Sequence, residues 1–159
     1  MLERPVSAAR IRCHGDFHLG QVLYTGSDYI IIDFEGEPGR PLRDRRLKRW
    51  ALKDVAGMLR SFEYAGFSGL SARPAGTVTK PMEACVRLWT TAASAAFLES
   101  YVATAGTAPF MPRTVEERSI VLQTMLIEKA LYELRYELDN RPGWVSIPIK
   151  GILELMKSR

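Results

Sequence analysis

Histidine and cysteine are the scarcest chemistry-bearing residues in this chain, with two of each among 159 residues. The histidines, His14 and His18, sit close together, and a zinc cage built on histidine is excluded. Cys13 and Cys85 have no spacing that reads as a metal site or a disulfide framework, so two reduced thiols are expected. No apolar run reaches the roughly 18 residues of a membrane span. The opening MLERPVSAAR lacks the apolar segment of a secretion signal, and a cytoplasmic location is expected. Internal repeats and low-complexity segments are absent as well.

What is present is ordinary for a globular chain: 47% hydrophobic and 25% charged residues. The length suggests one domain over 1–159 with a sizeable core. The net charge of +4 is unevenly spread. Arg40, Arg43, Arg45, Arg46, Lys48, Arg49, Lys53 and Arg60 follow one another against only Asp44 and Asp54. This run reads first as a solvated or partner-facing surface, with a place near nucleotide phosphates as the alternative. No nucleic-acid motif accompanies it, which argues against a nucleic-acid partner.

Hydrophobic periodicity predicts a mainly α chain. Residues 1–12 read as a lead-in, a helical turn running into a strand, and 13–21 as loop. Strands are expected at 22–25 and 29–33 around a Gly26-Ser27-Asp28 turn, with breakers from Gly36 to Pro41. Four or so helices follow: 52–64, 81–105, 114–138 and 148–157. The Ala-rich middle of the second, Thr91 to Ala96, is expected to allow close helix packing. Thr114 and Glu117 fit a capping box at the start of the third.

The chemistry concentrates in His14-Gly15-Asp16-Phe17-His18-Leu19-Gly20-Gln21 and, across the hairpin, Ile32-Asp33-Phe34-Glu35. Phosphoryl transfer needs an aligned acceptor oxygen, a group to take its proton, and divalent metal against the phosphate charge. Asp16, beside a permissive Gly15, suits the proton acceptor. Gln21 and Asp33 offer oxygen ligands of the kind magnesium prefers, and the hairpin can bring them side by side. Glu35 is a second ligand or orients water. Taken singly, an Asp in a Gly loop makes an Asx-turn and a strand-end Asp caps the chain. His14 reads as a residue that holds the loop by backbone bonds; His18 either faces the acceptor or orders the loop.

These motifs resemble the catalytic C-lobe of the aminoglycoside-phosphotransferase-like kinases, and within them the maltokinase branch. HGDxHLGQ and IDFEGEP are followed by Asp54-Val55-Ala56-Gly57-Met58-Leu59-Arg60-Ser61-Phe62 and Glu128-Lys129-Ala130-Leu131-Tyr132-Glu133-Leu134-Arg135-Tyr136-Glu137-Leu138, then Asn140-Arg141-Pro142 and Trp144. The resemblance covers nearly all of 11–156, with the catalytic loop and metal-binding hairpin at 11–35 and the helical part at 50–159. It implies a kinase-like C-lobe fold. It also implies Asp16 as base, Gln21 and Asp33 as magnesium ligands, and Asp54 as the carboxylate that ties down the loop. The other reading of Asp54 is a charge favoured by the helix dipole. The implied reaction takes ATP and maltose to maltose 1-phosphate and ADP, often in a polypeptide that also resembles trehalose synthase.

On the sugar side, Glu128, Tyr132 and Tyr136 recur every four residues along the long helix, with Trp144 nearby. Rings stack on sugar faces and carboxylates take hydroxyls, so these residues, with Glu137, suit a disaccharide; the competing reading is a half-buried helix face with Trp144 in the core. Arg135 reaches either the substrate or the acidic loop. Lys129 and Glu133 read as a surface ion pair. Only about a dozen residues precede the catalytic loop, and no GxGxxG or P-loop occurs. The chain is therefore expected to be a C-lobe without its N-lobe, weakly active or inactive alone. Exposed apolar surface around the hairpin would then favour self-association. The alternatives are a non-catalytic module that binds glucan or docks a partner enzyme, and a kinase for another small-molecule hydroxyl.

Overall fold

Two short β-rich runs around a glycine turn, then long stretches of helical periodicity, dictate a hairpin followed by a helical body. The computed structural model describes residues 5–74 and 76–157. A 3-10 turn at Leu19–Gln21 leads into β1 (Val22–Tyr24), which pairs antiparallel with β2 (Tyr29–Ile31). Helices α1 (Leu42–Arg45), α2 (Leu52–Ser71), α3 (Lys80–Ala105), α4 (Val115–Asn140) and α5 (Ser146–Lys157) follow, with a 3-10 turn at Pro142–Trp144 before the last. Among the described residues no helix is long and apolar enough to cross a membrane.

Several boundaries moved for identifiable reasons. Residues 1–4 of the expected lead-in lie outside the described residues. The strand expected after them shrinks to one bridge, in which Ile11 and Arg49 exchange backbone bonds of 2.9 and 2.8 Å. Strand β2 stops short of Asp33 because Asp33 has φ of 62°, a left-handed conformation that ends extended backbone. Helix α2 runs seven residues past the expected end, straight through Gly66. That glycine is a packing surface: a Cβ there would lie 2.7 Å from Val86 of α3. Helices α2 and α3 approach closely at Gly66; of the Ala-rich middle of α3, Ala93 and Ser94 are half-buried, while Thr91, Ala92, Ala95 and Ala96 are exposed. The turn of helix at α1 was not anticipated. Arg45 explains it, since its guanidinium donates back to the carbonyls of Pro38 and Arg40, both at 2.8 Å.

The Thr114 cap is the one expected from the sequence; the Thr79 cap was not read there. Thr79 and Thr114 accept the N–H groups of Met82 and Glu117, satisfying donors that a helix start leaves open. Glu117 also takes the hydroxyl of Ser7, which ties the N-terminal segment to α4.

The core lies between α2 and α4. Leu52, Val55, Ala56 and Leu59 of α2 meet Val121 and Met125 of α4 and Met111 of the preceding linker. Phe62, Phe97 and Tyr101 pack against this cluster from α2 and α3. Full burial of each large aliphatic side chain contributes about 1.5–3 kcal/mol. The hairpin stands apart. Leu23, Ile30, Ile31 and Phe34 are exposed, the last at 62%.

Candidate active site

The segment from His14 to Gln21 has little regular structure of its own, so its shape depends on what anchors it. Asp54, in the first turn of α2, supplies the main anchor. Its carboxylate accepts the backbone N–H of His14 at 2.7 Å and of Gly15 at 2.9 Å. Burial pushes this carboxyl above its ordinary value, against the pull of those two bonds. The same carboxylate thus occupies the helix-start position and holds the loop, so the two readings of Asp54 describe one group. His14, itself buried, accepts the Asp16 N–H at Nδ1 (3.3 Å). Nε2 must then carry the proton, and it donates to the Ile32 carbonyl at 2.8 Å. The loop is stitched to the hairpin by this ring. Gly15 has φ of 89°, and a Cβ there would lie 3.2 Å from Gly36 Cα, so only glycine fits. A second close approach is at Gly57, where a Cβ would stand 2.5 Å from the Phe17 carbonyl oxygen.

Gln21 and Asp33 come together at the base of the hairpin. The Gln21 amide donates to Asp33 Oδ2 at 2.9 Å, leaving the amide oxygen and Oδ1 outside that bond. Two hard oxygens, one of them charged, fit a magnesium ion that completes its shell with phosphate and water. Among the described residues no group of three His, Cys, Asp or Glu is placed to hold a metal. Glu35 lies exposed in the turn that follows.

Asp16 sits in the wall of a cleft of about 400 Å3. Lys129 of α4 reaches it across 113 residues, with Nζ 3.2 Å from Oδ1. The same ammonium lies 2.6 Å from Glu37 Oε1, and Arg40 holds the other oxygen of Glu37 at 2.8 Å. Burial pushes Glu37 up, but Lys129 and Arg40 outweigh it and the carboxyl ends below its ordinary value. Burial likewise pulls Lys129 down, and Glu37 and Asp16 more than reverse it. His18 accepts the Gly20 N–H at Nδ1 and turns Nε2 toward Asp16, 3.8 Å from Oδ2. It therefore both orders the loop and lines the cleft beside Asp16.

The α4 face toward the cleft is Lys129, Tyr132, Glu133, Tyr136 and Glu137. This corrects the stripe expected from every fourth residue. An α-helix turns once in about 3.6 residues, so the 128–132–136 row drifts around the axis. Glu128 falls off the cleft face and pairs instead with Arg40 at 3.0 Å and Lys53 at 3.9 Å. Arg135, two turns further along the same off-face row, is exposed and does not line the cleft. Nor are Lys129 and Glu133 a surface pair. Glu133 is buried and accepts two bonds from Arg60, at 2.9 and 2.7 Å. Glu63 is the other carboxylate on Arg60. Glu137 is buried too, gripped by the Arg141 guanidinium at 2.6 and 2.9 Å and by the Tyr64 hydroxyl at 3.2 Å. Trp144 is neither core nor cleft wall. It stacks on Tyr64, with ring centres 6.4 Å apart, and lies under the Arg141 guanidinium.

The basic run is therefore not one solvated surface. Arg40, Lys53 and Arg60 turn inward to carboxylates, and the Arg60 side chain is only 1% exposed. Sequence reasoning also passed over Glu37 and Tyr64. Glu37 had a signal, an acid between Gly36 and Pro38 directly after the acidic hairpin end; Tyr64 had none.

No family model matches the chain. Curated relatives do. It is 30% identical over 149 residues to a glucosamine kinase of Streptacidiphilus jiangxiensis, covering 94% of this chain and 32% of that protein. It is 28% identical to a glucosamine kinase of Mycolicibacterium smegmatis, covering 90% and 34%. Among solved structures, a glucosamine kinase in complex with glucosamine, ADP and inorganic phosphate superposes with a TM-score of 0.77 at 29% identity. It covers 92% of this chain and 35% of that one. A second crystal form of glucosamine kinase gives a TM-score of 0.78 at 30% identity, covering 92% and 34%. These relatives are sugar kinases, which meets the expected kinase resemblance at that coarser level and not at the level of maltose. The chain spans about a third of the length of the relatives it matches and shares the fold of that third.

Proposed function

We propose that this chain is the acceptor-binding and base-carrying part of an ATP-dependent sugar kinase. The observation that carries this reading is Asp16, held by an anchored loop in the wall of a cleft lined by Tyr132 and Tyr136. The glucosamine kinase relatives, one of them in complex with glucosamine and ADP, support the same chemistry.

In this reading Asp16 accepts the proton of the sugar hydroxyl through Oδ2, because Oδ1 is engaged by Lys129. Asp54 and His14 keep the Asp16 backbone in place by the bonds described above. Tyr132 and Tyr136 offer ring faces to the sugar, and the buried carboxylates Glu133 and Glu137, aligned by Arg60 and Arg141, accept its hydroxyls. Gln21 and Asp33 would hold magnesium, which would neutralise phosphate charge as the phosphoryl group passes. The exposed apolar hairpin beside them offers a seat for the nucleotide-binding portion that such a kinase requires.

The finer reading is maltose as acceptor, giving maltose 1-phosphate. The tyrosine-lined cleft and the motif resemblance over 11–156 support it. The cleft volume suits a ligand of one or two sugar rings. Calorimetric titration of maltose and glucose into the chain tests the reading. Binding that is lost in Tyr132→Ala is expected. No binding of any neutral sugar, or binding indifferent to Tyr132, rejects it.

A further inference from the structure

Glu37 belongs to an irregular loop, yet only 2% of its side chain is exposed. Taking a carboxylate out of water is costly unless cations meet it. Two do. Arg40 holds Oε2 at 2.8 Å, and another nitrogen of the same guanidinium reaches Glu128 of α4 at 3.0 Å. Lys129 Nζ holds Oε1 at 2.6 Å. Glu37 is thus fixed against α4 through two successive residues of that helix, with neither oxygen free to swing.

Lys129 links this fixed carboxylate to Asp16. Its ammonium lies 2.6 Å from Glu37 and 3.2 Å from Asp16 Oδ1, so the nearer of the two carboxylates is the one that carries no proton in the transfer. Burial pulls Lys129 down, but Glu37 and Asp16 raise it above its ordinary value, and the ammonium stays charged. Attraction between opposite charges grows as they approach. Without Glu37 the ammonium would close on Asp16, and its three donors could bridge both oxygens. A carboxylate paired that tightly takes up a proton less readily, and Oδ2 would be lost to the acceptor hydroxyl.

Resting on the reading of Asp16 as proton acceptor, we propose that Glu37 is a positioning residue for phosphoryl transfer. It acts through Lys129, keeping the ammonium at Oδ1 of Asp16 and away from Oδ2, which stays open to the acceptor hydroxyl.

The test introduces Glu37→Gln into wild type and into Lys129→Met. A residue that acts through Lys129 matters in the first background and not in the second. On the chain itself, carbon-13 NMR reads the Asp16 carboxyl. Its signal should shift with Glu37→Gln and stay in place when the same change is added to Lys129→Met. In the chain joined to a nucleotide-binding portion, Glu37→Gln should lower kcat about tenfold, as small misplacements of reacting groups do. The acceptor KM should change less than about threefold, and Glu37→Asp, which keeps the charge, should recover part of the rate. Added to Lys129→Met, Glu37→Gln should change kcat less than about twofold. If Glu37→Gln alone unfolds, the double variant compared with Lys129→Met still decides, because it removes both members of the buried pair. An equal loss of kcat in the two backgrounds, a loss carried by KM, or an Asp16 signal indifferent to Glu37 overturns the proposal and leaves the kinase reading intact. No transfer by the joined wild-type enzyme overturns both.

Discussion

Asp54 Oδ2 lies 2.7 Å from the backbone nitrogen of His14, and the neighbouring oxygen receives Gly15. One carboxylate on the first turn of α2 thereby sets the path of the loop that carries Asp16. Asp54→Ala should destabilise the chain by ~2–4 kcal/mol, since charged hydrogen bonds are worth about 1.5–3 kcal/mol each and these two share an acceptor. Urea denaturation measures it. Sugar affinity should fall as well, because the loop loses its tether.

Asp16→Asn separates binding from transfer. The amide keeps the shape of the carboxylate but cannot accept the hydroxyl proton. In the chain joined to a nucleotide-binding portion, phosphoryl transfer should drop by about 10²–10⁴. Maltose affinity should change only a few fold. Retained turnover would remove Asp16 from the role of base.

Gly57 and Gly69 lie on one helix and should respond oppositely to alanine. A methyl at Gly57 drives into the Phe17 carbonyl at 2.5 Å, while Gly69 has open space around it. Gly57→Ala should destabilise the chain and displace the loop. Gly69→Ala should stabilise it by about 0.5–1 kcal/mol through helix propensity. Thermal melts of the two variants side by side decide this.

Arg60 is buried between Glu133 and Glu63 and packs beneath Gly151 of α5. Arg60→Met leaves the buried Glu133 and the half-buried Glu63 without this cation, and breaking a buried pair costs about 3–5 kcal/mol. Burial already pushes Glu133 and Glu63 upward, partly offset by Arg60. In the variant both should protonate more readily, so its stability should fall more steeply than wild type as pH rises. Chemical denaturation of both proteins over a pH series measures the difference.

Glu37 contributes with the opposite sign. Its folded-state value lies below the ordinary 4.5, because Lys129 and Arg40 outweigh its burial. The folded state then binds fewer protons than the unfolded state across that window. Its contribution is present above about 4.5 and lost as pH falls through the lowered value. Glu37→Gln should therefore flatten the acid limb of the stability curve. An unchanged limb would show that the Lys129–Glu37 contact does not hold in solution.

Much of this protein was readable from local pattern. The hairpin, the Thr114 cap of α4 and the long helices follow from signals that act over two to four residues. The pairing of Gln21 with Asp33 was within reach because a tight hairpin makes sequence neighbours into spatial ones. Two of the errors share one cause: each needed a distant surface. Gly66 looks like a helix breaker until Val86 is seen against it. Lys129 and Glu133 look like an exposed pair until Asp16, Glu37 and Arg60 are placed around them.

The sequence by itself determined which residues form the HGD loop, the hairpin and the helices, and hence the reaction class to consider. Only the tertiary structure decided which carboxylate faces which cation. The Lys129–Asp16 and Arg60–Glu133 contacts join residues 113 and 73 positions apart. Such contacts depend on how α4 is rotated against α2 and the loop, and that rotation is set by how Val121 and Met125 of α4 pack on Leu52 and Val55 of α2.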